Sequence, residues 1–217
     1  MTKLFILFFI FLSFLLGCAK KESDSSKNDS SSSSGSSTTS ASGSITLGSN
    51  SLSGTYESNC LTGSLVSAMV SLELAPSDVK GVKANFVVTS STTVSDEYFY
   101  YTDETCSTIS FVMKNPYTNY ADTGSTHNSN NVVSYKWGNG SIYTGNSSAE
   151  TFWETKSGGN WDLTVGTETA TTNTNTSTFY NLILISGSTL KMGDEQEGSS
   201  TFGDSTTVGT TFTWTKQ

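Results

Sequence analysis

The chain has 217 residues, with 11 Lys, no Arg, one His and 19 Asp plus Glu, for a formal charge of −8. A chain this acidic cannot build the basic face that nucleic-acid binding needs, and without Arg it lacks the bidentate fork that reads phosphates and guanine edges. It is long enough for one domain of ordinary size with a substantial core.

The N-terminus is Met1-Thr2-Lys3, followed by an apolar run from Leu4 to Leu16 broken only by Ser13. As a helix this run would rise about 20 Å, short of a hydrocarbon core of about 30 Å. A basic start and a short apolar stretch ending at a small residue predict an export signal. The run closes Leu15-Leu16-Gly17-Cys18. This resembles the bacterial lipobox: an aliphatic residue three before the cysteine, a small residue before it, then the cysteine. The resemblance implies that residues 1–17 are a lipoprotein signal peptide removed before Cys18. It also implies that the Cys18 sulfur takes a diacylglycerol and that the new amino group is acylated. At about 0.8 kcal/mol per buried methylene, several chains would make a durable anchor, with the lipid bilayer as partner. Residue 19 is Ala rather than Asp. In a diderm source, the resemblance implies a cell-envelope protein with an outer-membrane address.

Residues 18–44 are nearly all Ser, Lys, Asp, Thr and Gly. Such a segment buries too little apolar surface to offset its ordering entropy, so it is predicted to be a disordered tether. Its r.m.s. reach is roughly 30 Å. Lys20, Lys21 and Lys27 are offset by Glu22, Asp24 and Asp29, which makes a solvated leash rather than a headgroup-binding patch.

Residues 45–217 read as an all-β domain, rich in Thr, Ser, Val, Tyr and Phe, with no long segment of helical periodicity. Leu65 to Leu74, Val82 to Thr89 and Thr93 to Tyr101 are expected strands. Trp137-Gly138-Asn139-Gly140-Ser141 carries the Asn-Gly pair expected of a hairpin turn. Ser157-Gly158-Gly159-Asn160 and Ser186-Gly187-Ser188 are expected turns, and the polar Thr167 to Thr178 an exposed loop. Phe179 to Ile185 reads as a strand buried on both faces. Val208, Thr210, Phe212 and Trp214 alternate with Thr207, Gly209, Thr211, Thr213 and Thr215, one face of a final strand. Together these predict about eight to ten antiparallel strands, which must close into a barrel or pack as a β-sandwich.

If Cys18 carries lipid, Cys60 and Cys106 remain as a pair in an exported chain, where disulfides persist. Two free thiols or two metal ligands are the alternatives.

Leu52-Ser53-Gly54-Thr55-Tyr56 resembles the Gly-x-Trp signature that opens lipocalin-like barrels, with Tyr56 in place of Trp. Tyr56-Glu57-Ser58-Asn59-Cys60 and Tyr100-Tyr101-Thr102-Asp103-Glu104-Thr105-Cys106-Ser107 resemble the paired-cysteine pattern of a group of uncharacterised exported lipocalin-like lipoproteins. The segment Leu184 to Asp194 is similar to a hairpin and strand near the end of such domains. Where lipocalins often place Arg on the last strand, this chain offers Lys216. The resemblance implies an antiparallel up-and-down barrel that acts as a binding module.

Catalytic patterns are missing. Gly198-Ser199-Ser200-Thr201-Phe202 departs from the nucleophile elbow at its last position, and no phosphate-binding glycine loop occurs. His127, the lone histidine, lies in a polar stretch and reads as a surface residue. Asp194-Glu195-Gln196-Glu197 lacks the spacing of a calcium loop and reads as a solvated acidic turn. Asp96-Glu97 and Asp103-Glu104 are adjacent pairs, whose side chains would point to opposite faces of a strand. The expectation is a protein with no catalytic residue, cofactor or metal. Its function would be to bind a small apolar ligand, with Trp137, Trp153, Trp161 and Trp214 as candidate lining. The alternative is a surface interaction or structural lipoprotein with no small ligand.

Overall fold

The structure, a computed structural model, describes residues 38–193, 195–203, 206–209 and 212–217. The expected signal peptide, Cys18 and the tether up to residue 37 lie outside the described residues. In chain order the elements are β1 (Ser44–Leu47), β2 (Asn50–Ser53), β3 (Thr55–Ser58), β4 (Leu61–Thr62), α1 (Ser64–Ser71), β5 (Gly81–Val88), β6 (Val94–Tyr101), β7 (Ile109–His127) and β8 (Asn130–Trp137). They continue with β9 (Gly140–Thr144), α2 (Ser147–Lys156), β10 (Glu168–Thr171), β11 (Phe179–Ser186), β12 (Thr189–Met192), β13 (Gln196–Glu197) and β14 (Trp214–Lys216).

Eight of these strands close a ring: β3-β5-β6-β7-β8-β11-β12-β14, with β14 returning to β3 through Trp214↔Ser58 and Lys216↔Tyr56. Each wall strand pairs with the next wall strand in sequence, and all pairings are antiparallel. This is a closed up-and-down barrel rather than a sandwich. Closure removes the free strand edges that invite pairing with other chains. It also brings the two substituted signature positions together, with Lys216 Nζ 5.9 Å from the centroid of the Tyr56 ring.

The two ends of the barrel are stoppered differently. The β1–β2 hairpin tucks Ile45, Leu47 and Leu52 against Phe86, Val88, Val94 and Tyr120 at one end. At the other, α1 contributes Val66 and Met69 and α2 contributes Ala149 and Trp153, packed on Val82, Tyr100, Phe111 and Ile142. Tyr98 and Phe212 touch both apolar clusters and so lie between the stoppers. Before the hairpin, the end of the Ser-rich stretch is already fastened to the wall: Thr39 donates to Glu97, and Ser42 and Gly43 donate to the Val88 carbonyl at 3.1 and 3.2 Å.

Several sequence expectations are corrected. Leu65 to Leu74 is not a strand; Ser64–Ser71 is helix α1. Its apolar residues, Leu65, Val66, Met69 and Val70, recur at helical spacing and lie on one face. Ser147–Lys156 is also helical, capped by Asn146, whose side chain accepts from the Ala149 N–H at 2.9 Å. The expected Ser157–Asn160 turn ends that helix, with Gly158 and Gly159 at φ of 65° and 78°.

Asn139-Gly140 does not make the expected hairpin turn; Gly138-Asn139 only interrupts the strand. β8 and β9 pair with successive stretches of the same strand β7, so the dipeptide is a break within one long strand. The break lies against Pro116, whose carbonyl accepts the Gly138 N–H at 2.7 Å. A Cβ on Gly140 would lie 2.5 Å from the Lys114 carbonyl, so this approach of backbones requires glycine. Glu168–Thr171, expected in a loop, instead pairs with β9 as β10. The final strand is shorter than its alternation suggested. Val208 packs outside with Leu182 and Phe202, while Phe212 and Trp214 face inward; Thr210 and Thr211 lie outside the described residues.

Cys60 and Cys106 are joined, with Cα atoms 6.0 Å apart. The bond crosses the start of β5, linking the β3–β4 corner to the β6–β7 loop. Gly81 lies beneath it, where a Cβ would come within 2.8 Å of Cys106 Sγ. On the far side, the Asp103 carboxylate accepts from the backbone of Thr105, Ser107 and Thr108 and shapes the loop that presents Cys106. Those bonds, led by the Thr105 hydroxyl, hold Asp103 well below the usual carboxylate range.

Candidate functional site

A polar cluster occupies the middle of the barrel, among aromatic rings. Strand alternation sets its first member. On β6, Val94, Asp96, Tyr98 and Tyr100 face inward, whereas Ser95, Glu97, Phe99 and Tyr101 face outward. Asp96 is 1 % exposed, and its Oδ2 accepts from the Tyr117 hydroxyl at 2.8 Å. Burial pushes its carboxyl up to about 7, against the opposing hydrogen bonds of Tyr117 and Tyr98; the charge of Glu97 pushes it further the same way. The expectation that Asp96 and Glu97 point apart is met. Glu97 is also buried, on the outer face, where Thr39 and Ser95 donate to it.

The second member is Glu195, expected to be solvated and instead turned into the barrel. β12 pairs with one half of β11 through Met192↔Ile183, and β13 pairs with the other half through Gln196↔Tyr180. Between these two pairings the register shifts by one residue, a bulge at which the Gly193 N–H bonds the Leu182 carbonyl at 2.8 Å. From that bulge Glu195 receives the Tyr135 hydroxyl. Burial raises its carboxyl to about 7, opposed by hydrogen bonds from Tyr135 and Trp137 and reinforced by the charges of Asp96 and Glu197. No Lys or His is among the groups acting on either acid.

Aromatic rings wall the pair. Tyr117 lies 4.4 Å from Tyr135 and 4.9 Å edge-on to Trp137, and Tyr98 meets Phe212 at 5.9 Å. Burial lifts the phenols of Tyr98, Tyr117 and Tyr135 well above their ordinary value, reinforced by Asp96 and, for Tyr135, by Glu195. They are therefore neutral donors at physiological pH. Among the described residues, the Oδ1 atoms of Asp96 and Asn181, the Tyr120 hydroxyl and Trp214 Nε1 are buried without a hydrogen-bond partner.

Of the four tryptophans expected to line a pocket, Trp137 and Trp214 face the interior. Trp153 and Trp161 pack together in the helical stopper, 6.1 Å apart. His127 lies at the β7–β8 tip, its ring nitrogen near the Gly203 carbonyl at 3.1 Å and its ring 5.7 Å from Phe202.

Neither the family models nor the curated proteins contain a match to this chain.

Proposed function

We propose that this protein is a lipid-anchored binding module of the cell envelope, whose lipocalin-like barrel holds a small molecule and performs no chemistry on it. One observation carries the reading. Tyr98 lies mid-strand on the inward face of β6, between Asp96 and Tyr100, which are both buried, yet it is only half-buried itself. Part of an inward-facing, mid-strand side chain thus stays accessible, which suits a ligand held among the walls. Inward-facing Met192 and Phe212 are likewise half-buried.

The rival reading, a surface interaction protein, calls for exposed apolar area. Among the described residues only Leu72 and Val165 are exposed large apolar side chains, which offers little such surface.

The anchor and the barrel are tested separately. In cells, Cys18→Ser is expected to move the protein from the membrane pellet to the soluble fraction with its melting temperature unchanged. Retention in the pellet would remove Cys18 as the anchor. The same full-length variant, free of lipid, is then titrated calorimetrically with 2-phenylethanol, a small neutral probe with an apolar ring. Saturable binding of one molecule per chain is expected.

A further inference from the structure

We propose that the molecule held in the barrel carries a protonated amine, seated between Asp96 and Glu195 with the aromatic rings around it; this rests on the binding-module reading and names the ligand's chemistry. A buried carboxylate is normally paired with a cation or driven neutral. Among the described residues no cation is paired with either interior acid. The chain has no Arg, and Lys83, Lys114 and Lys156 are paired with Glu57, Glu168 and Glu73 rather than with either interior acid. Lys216 is the lysine that shares the inward face of β14, but it is exposed and bonds Ser53 Oγ at 3.0 Å.

Two buried side-chain acceptors near the pair are unmet. Asp96 Oδ1 and Asn181 Oδ1, on residues 1 % and 7 % exposed, are acceptors without donors. An ammonium group is a donor only, with its N–H bonds in several directions, so it complements these two acceptors. The rings of Tyr98, Tyr117, Tyr135 and Trp137 lie around the pair, with the Tyr117 and Tyr135 hydroxyls donating to the two acids. An anion would meet two carboxyls and find no cationic partner. A neutral apolar molecule would leave both Oδ1 atoms unsatisfied.

The groups that face the pair are few in chemical type. Tyr98 and Tyr100 come from β6, Asn115, Tyr117 and Tyr120 from β7. Tyr135 and Trp137 come from β8 and Asn181 from β11, while Glu197 on β13 adds negative charge. The tyrosines are held neutral, so the two interior acids govern how amine binding responds between pH 5 and 8.

The test uses the full-length Cys18→Ser chain and three probes of one shape: phenethylamine, 2-phenylethanol and 3-phenylpropionate, each titrated calorimetrically. At pH 7.5 the amine is expected to bind at least about ten-fold tighter than the alcohol, and the carboxylate more weakly than both. At pH 5 the amine's advantage shrinks, because both acids take up protons. The double variant Asp96→Asn/Glu195→Gln is expected to bring the amine's affinity down to that of the alcohol. Equal affinity of amine and alcohol at pH 7.5 would overturn the proposal and leave the binding-module reading standing. An amine advantage undiminished in the double variant would place the amine elsewhere and overturn it too. If none of the three probes binds, the binding-module reading falls as well.

Discussion

Asp96→Asn is expected to make the ligand-free protein more stable at pH 8 and to flatten its loss of stability between pH 4 and 7. The folded barrel keeps the Asp96 proton until about pH 7, because charging the carboxyl means burying an unpaired anion. The unfolded chain releases the same proton near pH 4. Below pH 4 both states are protonated and the group is neutral in its effect. Between pH 4 and 7 the folded state binds more protons, so stability falls as pH rises, and above pH 7 the loss is complete. For Asp96 the loss amounts to about 4 kcal/mol. Asn keeps an oxygen for the Tyr117 hydroxyl and carries no charge, so most of that loss should be recovered. In a chain of this size the gain corresponds to a rise in melting temperature of about 10 °C at pH 8. Glu195→Gln should act in the same direction with a smaller gain, since Glu195 is only half-buried. Thermal melts of the parent and both variants from pH 4 to 8 measure this. Asp103 works in the opposite sense, its hydrogen-bonded carboxylate favouring the fold above about pH 4 and losing that effect as pH falls further. Stability should therefore peak in mildly acidic solution. A variant less stable than the parent at pH 8 would show that Asp96 is charged and satisfied in the fold.

Removing the Cys60–Cys106 bond is expected to lower stability by about 4 kcal/mol in the chain-entropy model, since it closes a long loop of the unfolded chain. The residues it separates are 46 apart in sequence, and they include α1, β5 and β6. The bond spans β5 between its two neighbours, so its loss should loosen the helical stopper before the rest of the barrel. Cys60→Ser/Cys106→Ser and the reduced parent should unfold at the same, lower denaturant concentration. Hydrogen exchange should rise first in Leu61 to Val82. Unchanged denaturation after full reduction would show that the loop is held by Asp103 and its backbone partners alone.

Much of the wall was legible from residues alone. Val82 to Thr89, Thr93 to Tyr101 and Phe179 to Ile185 coincide with β5, β6 and β11 to within a residue or two. Their β-branched and aromatic content has a local cause, which is packing on a pleated surface. The pairing of Cys60 with Cys106 was expected from the number of cysteines on the premise of an exported chain with Cys18 lipidated. The opposite directions of Asp96 and Glu97 followed from strand period. Trp137 and Trp153 look alike in composition, yet one lines the interior and the other fills a stopper, because that depends on which element each belongs to.

What the sequence determined by itself is therefore local: an all-β domain, its main wall strands, and one disulfide. The tertiary structure decided the rest. Asn139-Gly140 has the chemistry of a hairpin turn, but β7 is long enough to pair with the strands on both sides of the break, so the chain runs on. Glu195 sits in a polar run that reads as solvated, and only the double pairing of β11 with β12 and β13 turns it toward Asp96. The two acids come from distant parts of the chain and meet only once the barrel closes. Their raised proton affinity, and the unpartnered buried acceptors from which we infer the cation site, are consequences of shared burial that no local pattern encodes.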